Sequence, residues 1–231
     1  MFASRRILML LVLAGAALAG GCGSGTKFAA TESTTPVAVD CSRSVRDSEP
    51  AWIRQIAEIA SSVLAREERL LVGCFAGQRT GVEWLPAFDS SALPNMTGGA
   101  TTRHRALKEW GAALGPFLKN QIAVRDVPGT DWLSALRACG SLRGAHTVYL
   151  FSDLVQQAEG IDLTQHVSLA TLHSYAQQWA PMLRGLAGGL VIEIGGGYGL
   201  SGGRPDTQGV ALFEELARIV GFRTEMVSTL P

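Results

Sequence analysis

No excess of charge of either sign marks this sequence. Its 231 residues carry 20 Lys and Arg against 20 Asp and Glu, and no basic stripe gathers anywhere along it. That balance argues against nucleic acid as a partner. Cysteine is scarce, four in all, and none stands at the C-x-x-C spacing of a zinc site. The four histidines, His104, His146, His166 and His173, show no ligand spacing either. There is no G-x-x-x-x-G-K-[ST] and no G-x-S-x-G, so a P-loop and a nucleophile elbow both lack their signatures. Beyond residue 22 no apolar run reaches the roughly 18 residues that a membrane-crossing helix needs.

What is present begins with an export signal over residues 1–21. Arg5 and Arg6 precede an apolar run, Ile7 to Leu18, and small residues follow up to Cys22. Ala19-Gly20-Gly21-Cys22 is similar to a bacterial lipobox, with Cys22 as the acylated new N-terminus. The alternative is an A-x-A cleavage at Ala17-Leu18-Ala19, which releases a secreted or periplasmic protein. The lipid-anchored reading is preferred because the Cys falls directly after the small residues; it places the chain on a cell membrane, facing away from the cytoplasm. Residues 22–35 are rich in Gly, Ser, Thr and Ala and read as a tether. Residues 36–231 suit one domain. Cys41, Cys74 and Cys139 read as small buried hydrophobes rather than catalytic thiols; at most one disulfide can form among them, and the sequence leaves the pair open.

Within that domain, Pro36 to Val39 is a short apolar run suited to a buried strand. A helix follows from Ser48-Glu49-Pro50 through Val63 and Leu64. Leu70 to Ala76 reads as a strand broken by Gly73, and Gly81 to Phe88 as a more polar partner that makes a hairpin with it. Helical spacing returns over Thr102 to Asn120, and Thr130 is placed to cap a short helix carrying Trp132, Leu133 and Leu136. His146 to Leu154 is the clearest buried strand. A helix over Ser168 to Leu186, a strand over Leu190 to Ile194, a glycine-rich loop over Gly195 to Gly203, a helix over Asp206 to Val220 and an edge strand over Phe222 to Val227 complete the chain. Strands alternating with helices of this length imply a doubly wound, mainly parallel sheet with helices on both faces. Ligands in such sheets bind at the carboxyl ends of the strands.

Asp40-Cys41-Ser42-Arg43-Ser44 sits at the first such end. Three hard oxygen donors at alternate positions suit a small hard cation such as Mg²⁺. Asp153, at the end of the strand from His146, and Thr130, at the start of the helix before it, bring further oxygens to the same edge. Asp40 reads as a surface polar group at this edge.

Together these residues resemble a von Willebrand factor type A domain from about Pro36 to the C-terminus. Asp40-x-Ser42-x-Ser44 matches the family's first metal motif, Thr130 in Pro128-Gly129-Thr130-Asp131 its second, and Asp153 in Leu150-Phe151-Ser152-Asp153 its third. Cys41 replaces the more usual apolar or small residue, and Leu154 stands where glycine is frequent. The resemblance implies a Rossmann-like fold with one short antiparallel edge strand, matching Gly81 to Phe88. It implies that Ser42 and Ser44 bind Mg²⁺ or Mn²⁺ directly, Thr130 directly or through water, and Asp40 and Asp153 largely through water. It also implies that the last coordination position goes to an Asp or Glu carboxylate of a protein partner. Arg43, Arg46 and Arg204 are placed to steer an acidic surface to that edge.

Two rivals remain. Asp40 as the phosphoryl-accepting nucleophile of a haloacid-dehalogenase-like phosphatase needs a second carboxylate two residues on, where this chain has Ser42. A degenerate, metal-free scaffold of the same fold is the other. The sequence points to a binding domain and not an enzyme.

Overall fold

The computed structural model describes residues 33–45, 49–66, 68–77, 81–90, 100–125, 129–158, 160–184, 191–195 and 207–226. These form β1 (Thr34–Asp40), α1 (Glu49–Ala65), β2 (Arg69–Phe75), β3 (Glu83–Asp89), α2 (Ala100–Arg125), α3 (Trp132–Gly140), β4 (Thr147–Phe151), β5 (Gln157–Ala158), β6 (Ile161–Asp162), α4 (Leu169–Leu183), β7 (Val191–Gly195), α5 (Thr207–Val220) and β8 (Arg223–Met226). Six strands make one sheet in the order β3-β2-β1-β4-β7-β8. Every neighbouring pair runs parallel except β2 and β3, which are antiparallel at one edge. The architecture is the doubly wound α/β sheet, with an antiparallel edge, that the residue pattern implied.

β1 is central, and all seven of its residues are buried. Successive side chains of a strand face opposite ways, and the core divides accordingly. Val37, Val39 and Cys41 pack with Trp52 and Ile56 of α1 and Trp110 and Leu114 of α2. Ala38 packs on the other face with Trp132 and Leu136 of α3, Trp179 of α4 and Phe213 of α5. A strand covered on both faces must be apolar throughout, which is why Val37-Ala38-Val39 shows no alternation.

The sheet winds outward from β1 in both directions, to β2 and β3 on one side and to β4, β7 and β8 on the other. The crevice between the diverging connections lies beyond the carboxyl ends of β1 and β4, the topological switch point at which open α/β sheets bind ligands.

Several local expectations are corrected. β1 starts at Thr34, so Thr34 and Thr35 belong to the sheet and not to the tether: Thr34 N donates to Gly144 O at 3.0 Å, and Thr35 Oγ1 donates to Glu68 Oε2 at 2.7 Å. Their β-branched side chains suit a strand. Gly73 does not break β2. A Cβ there would overlap Val82 and come within 2.8 Å of Trp84, so the glycine makes room for Val82, just before β3, and for Trp84 of β3. The β5–β6 hairpin was not foreseen. Cys41 and Cys74 form a disulfide, with Cα atoms 5.8 Å apart. Cys139 is a buried free thiol, in line with its reading as a small buried hydrophobe, and burial pushes its pKa up.

Candidate functional site

Asp40 is the last residue of β1 and, contrary to its reading as a surface group, it is fully buried. Its Oδ1 accepts a hydrogen bond from Ser42 N at 2.8 Å. That bond folds the chain back on the strand end, and the 3-10 turn Arg43–Val45 follows. Val45, 1 % exposed, plugs the turn into the α1/α2 side of the core. The turn therefore holds Ser42 buried and leaves Ser44 exposed, with their hydroxyls 3.0 Å apart.

The second segment arrives from before α3. Thr130 Oγ1 donates to Asp40 Oδ2 at 3.1 Å and lies 3.2 Å from Ser42 Oγ. A hydroxyl has one proton to give, so Asp40 and Ser42 share it. Thr130 is not the helix cap: Asp131 is, accepting from Ser134 N through Oδ1 at 3.1 Å. Both residue types cap helices well; the one whose oxygen reaches the first turn does so, and the Thr130 hydroxyl is left for the site.

The third segment follows β4. Ser152 Oγ donates to Asp40 Oδ2 at 2.9 Å and accepts from Leu154 N at 3.1 Å. Asp153 is half-buried, and its Oδ1 accepts from Val155 N at 3.1 Å. Leu154 has φ +60°, a left-handed conformation open to glycine and strained for leucine. This explains why glycine suits the position after Asp153. Here burial of the Leu154 side chain, 0 % exposed, offsets the strain.

Asp40, Ser42, Ser44 and Thr130 are thus contiguous, and Asp153 is close enough for its charge to act on Asp40. Burial first, and the Asp153 charge second, raise the Asp40 pKa from 3.8 to about 7, against hydrogen bonds from Ser42 and Ser152 that lower it. The carboxylates of Asp40 and Asp153 and the hydroxyls of Ser42, Ser44 and Thr130 converge at this edge. That is a hard-oxygen donor set whose negative charge a divalent cation would balance, and the residues fit such an ion. Among the described residues no group of three or more His, Cys, Asp and Glu is clustered for a metal, so hydroxyls are essential to this set. Arg43 lies in the 3-10 turn; Cys22, Arg46 and Arg204 lie outside the described residues, as do residues 196–203 of the glycine-rich loop.

Three supporting residues escaped the sequence reading. Ser152 was read only as part of a motif. Gln156, fully buried, accepts from Trp132 N at 3.0 Å and donates to Asp131 Oδ1 at 3.0 Å. Gln157 N donates to Thr130 O at 2.9 Å, clamping the second segment to the third. Nothing in the local pattern marks Gln156; a polar residue in a loop has no period to betray burial.

The Asp40 shift has a testable consequence. Between pH 3.8 and about 7 the folded chain keeps a proton that the unfolded chain gives up. Stability without metal therefore falls as pH rises toward 7 and levels off above it. Lowering pH from 8 to 6 in EDTA is expected to add about 1 kcal/mol, or roughly 2–4 °C in Tm. Asp40→Asn should abolish that increment in a thermal melt; an unchanged increment would assign it to another group.

No protein-family model matches this chain, and no curated protein matches it. Among solved structures, human COPII-coat protein Sec24c is similar over 86 % of this chain with 12 % identity and a TM-score of 0.46; the chain spans only 30 % of Sec24c. The conserved hypothetical protein BatB from Bacteroides thetaiotaomicron is similar over 86 % of this chain and 91 % of its own, with 12 % identity and a TM-score of 0.41. Neither likeness bears on function. The strand order, the antiparallel edge and the helices on both faces are a Rossmann-like, doubly wound α/β fold.

Proposed function

We propose that this chain is an extracytoplasmic binding module of the von Willebrand factor A kind, tethered to a membrane through lipid on Cys22. It takes a protein partner through Mg²⁺ or Mn²⁺ at Asp40, Ser42, Ser44, Thr130 and Asp153. The observation that carries this reading is the convergence of those hydroxyls and carboxylates at the switch point, in unbroken contact from Ser44 to Asp40. When bound, the cation would supply an electrophilic centre for an acidic side chain of the partner. Ser42, Ser44 and Thr130 would hold it with neutral oxygens, and Asp40, anchored by Ser152 and the Ser42 amide, would orient the hydroxyls. Ser44 is exposed and Asp153 half-buried, so the side facing solvent is where a partner carboxylate would arrive. Arg43, Arg46 and Arg204 would raise the encounter rate with an acidic surface.

The Cys41–Cys74 disulfide supports an oxidising compartment, in agreement with the export signal. Cys22→Ser is expected to move the chain from the membrane to the soluble fraction and abolish acyl labelling. Soluble wild type starting at Gly20 would favour the A-x-A cleavage instead.

The test of metal-bridged binding is a pull-down from the envelope of the source organism with the full chain as bait. Because Asp40 is buried, Ser44→Ala is the variant of choice: it removes an exposed candidate ligand at little cost to the fold. A partner retained in Mg²⁺ and lost in EDTA and with Ser44→Ala is the expected result. Retention of the same partner in all three conditions would reject the metal as the bridge. It would favour the metal-free scaffold, a reading to which the mutual hydrogen bonding of Asp40, Thr130 and Ser152 lends some support.

A further inference from the structure

Cys41 lies between two candidate ligands, Asp40 and Ser42, and its disulfide partner Cys74 lies in the neighbouring strand β2. We propose that this bond is a positioning element for the metal site: it holds the Asp40–Ser44 turn in its ligating arrangement, so metal affinity as well as stability depends on it. The inference rests on the metal-binding reading above.

Pairing between β1 and β2 ends with Asp40 opposite Phe75. One residue further, Cys41 N still donates to Phe75 O at 2.8 Å, and then the chain leaves the sheet. From that point the Asp40 carboxylate, accepting from Ser42 N, and the sulfur bridge both tie the turn to the sheet. Both sulfur-bearing residues are 0 % exposed, so the bridge is packed into the core face that also receives Val45. The end of β2 frames the second segment as well: Gly77 N donates to Gly129 O at 2.8 Å, immediately before Thr130. The same strand end is thus bonded covalently to the turn carrying Asp40 and Ser42, and through the Gly77–Gly129 hydrogen bond to the segment carrying Thr130. A ligand set held in place before the ion arrives binds it more tightly than one that must be ordered by it. A bond serving stability alone would lower Tm and leave metal affinity unmoved.

The experiment uses the full chain in detergent, stripped with EDTA and titrated with Mn²⁺, with free Mn²⁺ followed by EPR. Cys74→Ala keeps Cys41 and every candidate ligand. Cys41→Val/Cys74→Ala refills the volume of the lost sulfurs. Both are also made with Gly111→Ala, which adds a helix-favouring residue where a Cβ meets only Ala57 at 3.8 Å. Folding is checked by circular dichroism at the titration temperature. Folded variants are expected to bind Mn²⁺ about 10–100-fold more weakly than wild type, the range for losing a group that orients metal ligands. Binding within about twofold of wild type would overturn the proposal while leaving the metal reading intact. Variants that do not fold even with Gly111→Ala would overturn it too, since the bond would then serve the whole fold. Wild type that binds no Mn²⁺ would overturn both readings.

Discussion

Gly209→Ala is expected to destabilise the protein by about 2–4 kcal/mol, lowering Tm by roughly 5–15 °C. Gly209 lies in the first turn of α5 and is buried. A Cβ placed on it would overlap the carbonyl oxygen of Leu154 and lie 2.8 Å from both the carbonyl carbon and the Cβ of that residue. Neither side has room to give. Leu154 is held by its left-handed backbone, by its fully buried side chain, and by its carbonyl, which accepts from Trp132 Nε1 at 3.1 Å. The clash would be of the new Cβ with the Leu154 backbone, and interiors at crystal-like density do not absorb it cheaply. Gly111→Ala is the control: its new methyl meets ordinary contact, and helix propensity predicts a gain of about 0.5–1 kcal/mol. Melts of the two variants beside wild type decide the matter. A Gly209→Ala chain within about 0.5 kcal/mol of wild type would mean that α5 sits further from the Leu154 loop than described. Because Leu154 follows Asp153, the same substitution is expected to disturb the candidate site.

Asp40→Asn is expected to separate folding from metal binding. A ligand that binds only the native state stabilises by about 2.7 kcal/mol at a hundredfold excess over its Kd. Saturating Mg²⁺ or Mn²⁺ should then raise the Tm of wild type by roughly 5–10 °C, reversibly in EDTA. Asp40→Asn keeps the side-chain shape and one acceptor oxygen while removing a charge that burial and Asp153 both disfavour, as its pKa of about 7 shows. In EDTA above pH 7 the variant should match or exceed wild type; with metal it should show no shift. Asp40→Ala is the poorer tool. It strips Ser42 N and Ser152 Oγ of their partner and leaves Thr130 Oγ1 only Ser42 Oγ, and each buried donor left without one costs about 1–3 kcal/mol. Identical wild-type melts with and without metal would remove the basis for metal-dependent binding.

The alternation of strand and helix is legible along this sequence, because period and turn residues are local properties. So is the place of Asp40 at the end of β1, since an apolar β-branched run followed by D-x-S-x-S marks its own boundary. The antiparallel edge was legible in the hairpin reading of Leu70–Ala76 with Gly81–Phe88 and was implied by the family resemblance. The strand order was not, and with it the switch point that makes the Asp40 edge a crevice. The buried state of Asp40 was not either. It follows from hydroxyls 90 and 112 residues away in sequence that satisfy its carboxylate, and no local pattern reports a partner at that distance. The same holds for the choice of Cys74 over Cys139 as the partner of Cys41, for the left-handed Leu154, and for Gly209. Each is decided by which backbones meet in space, and that depends on how the two faces of the sheet are filled rather than on any one segment's own preference.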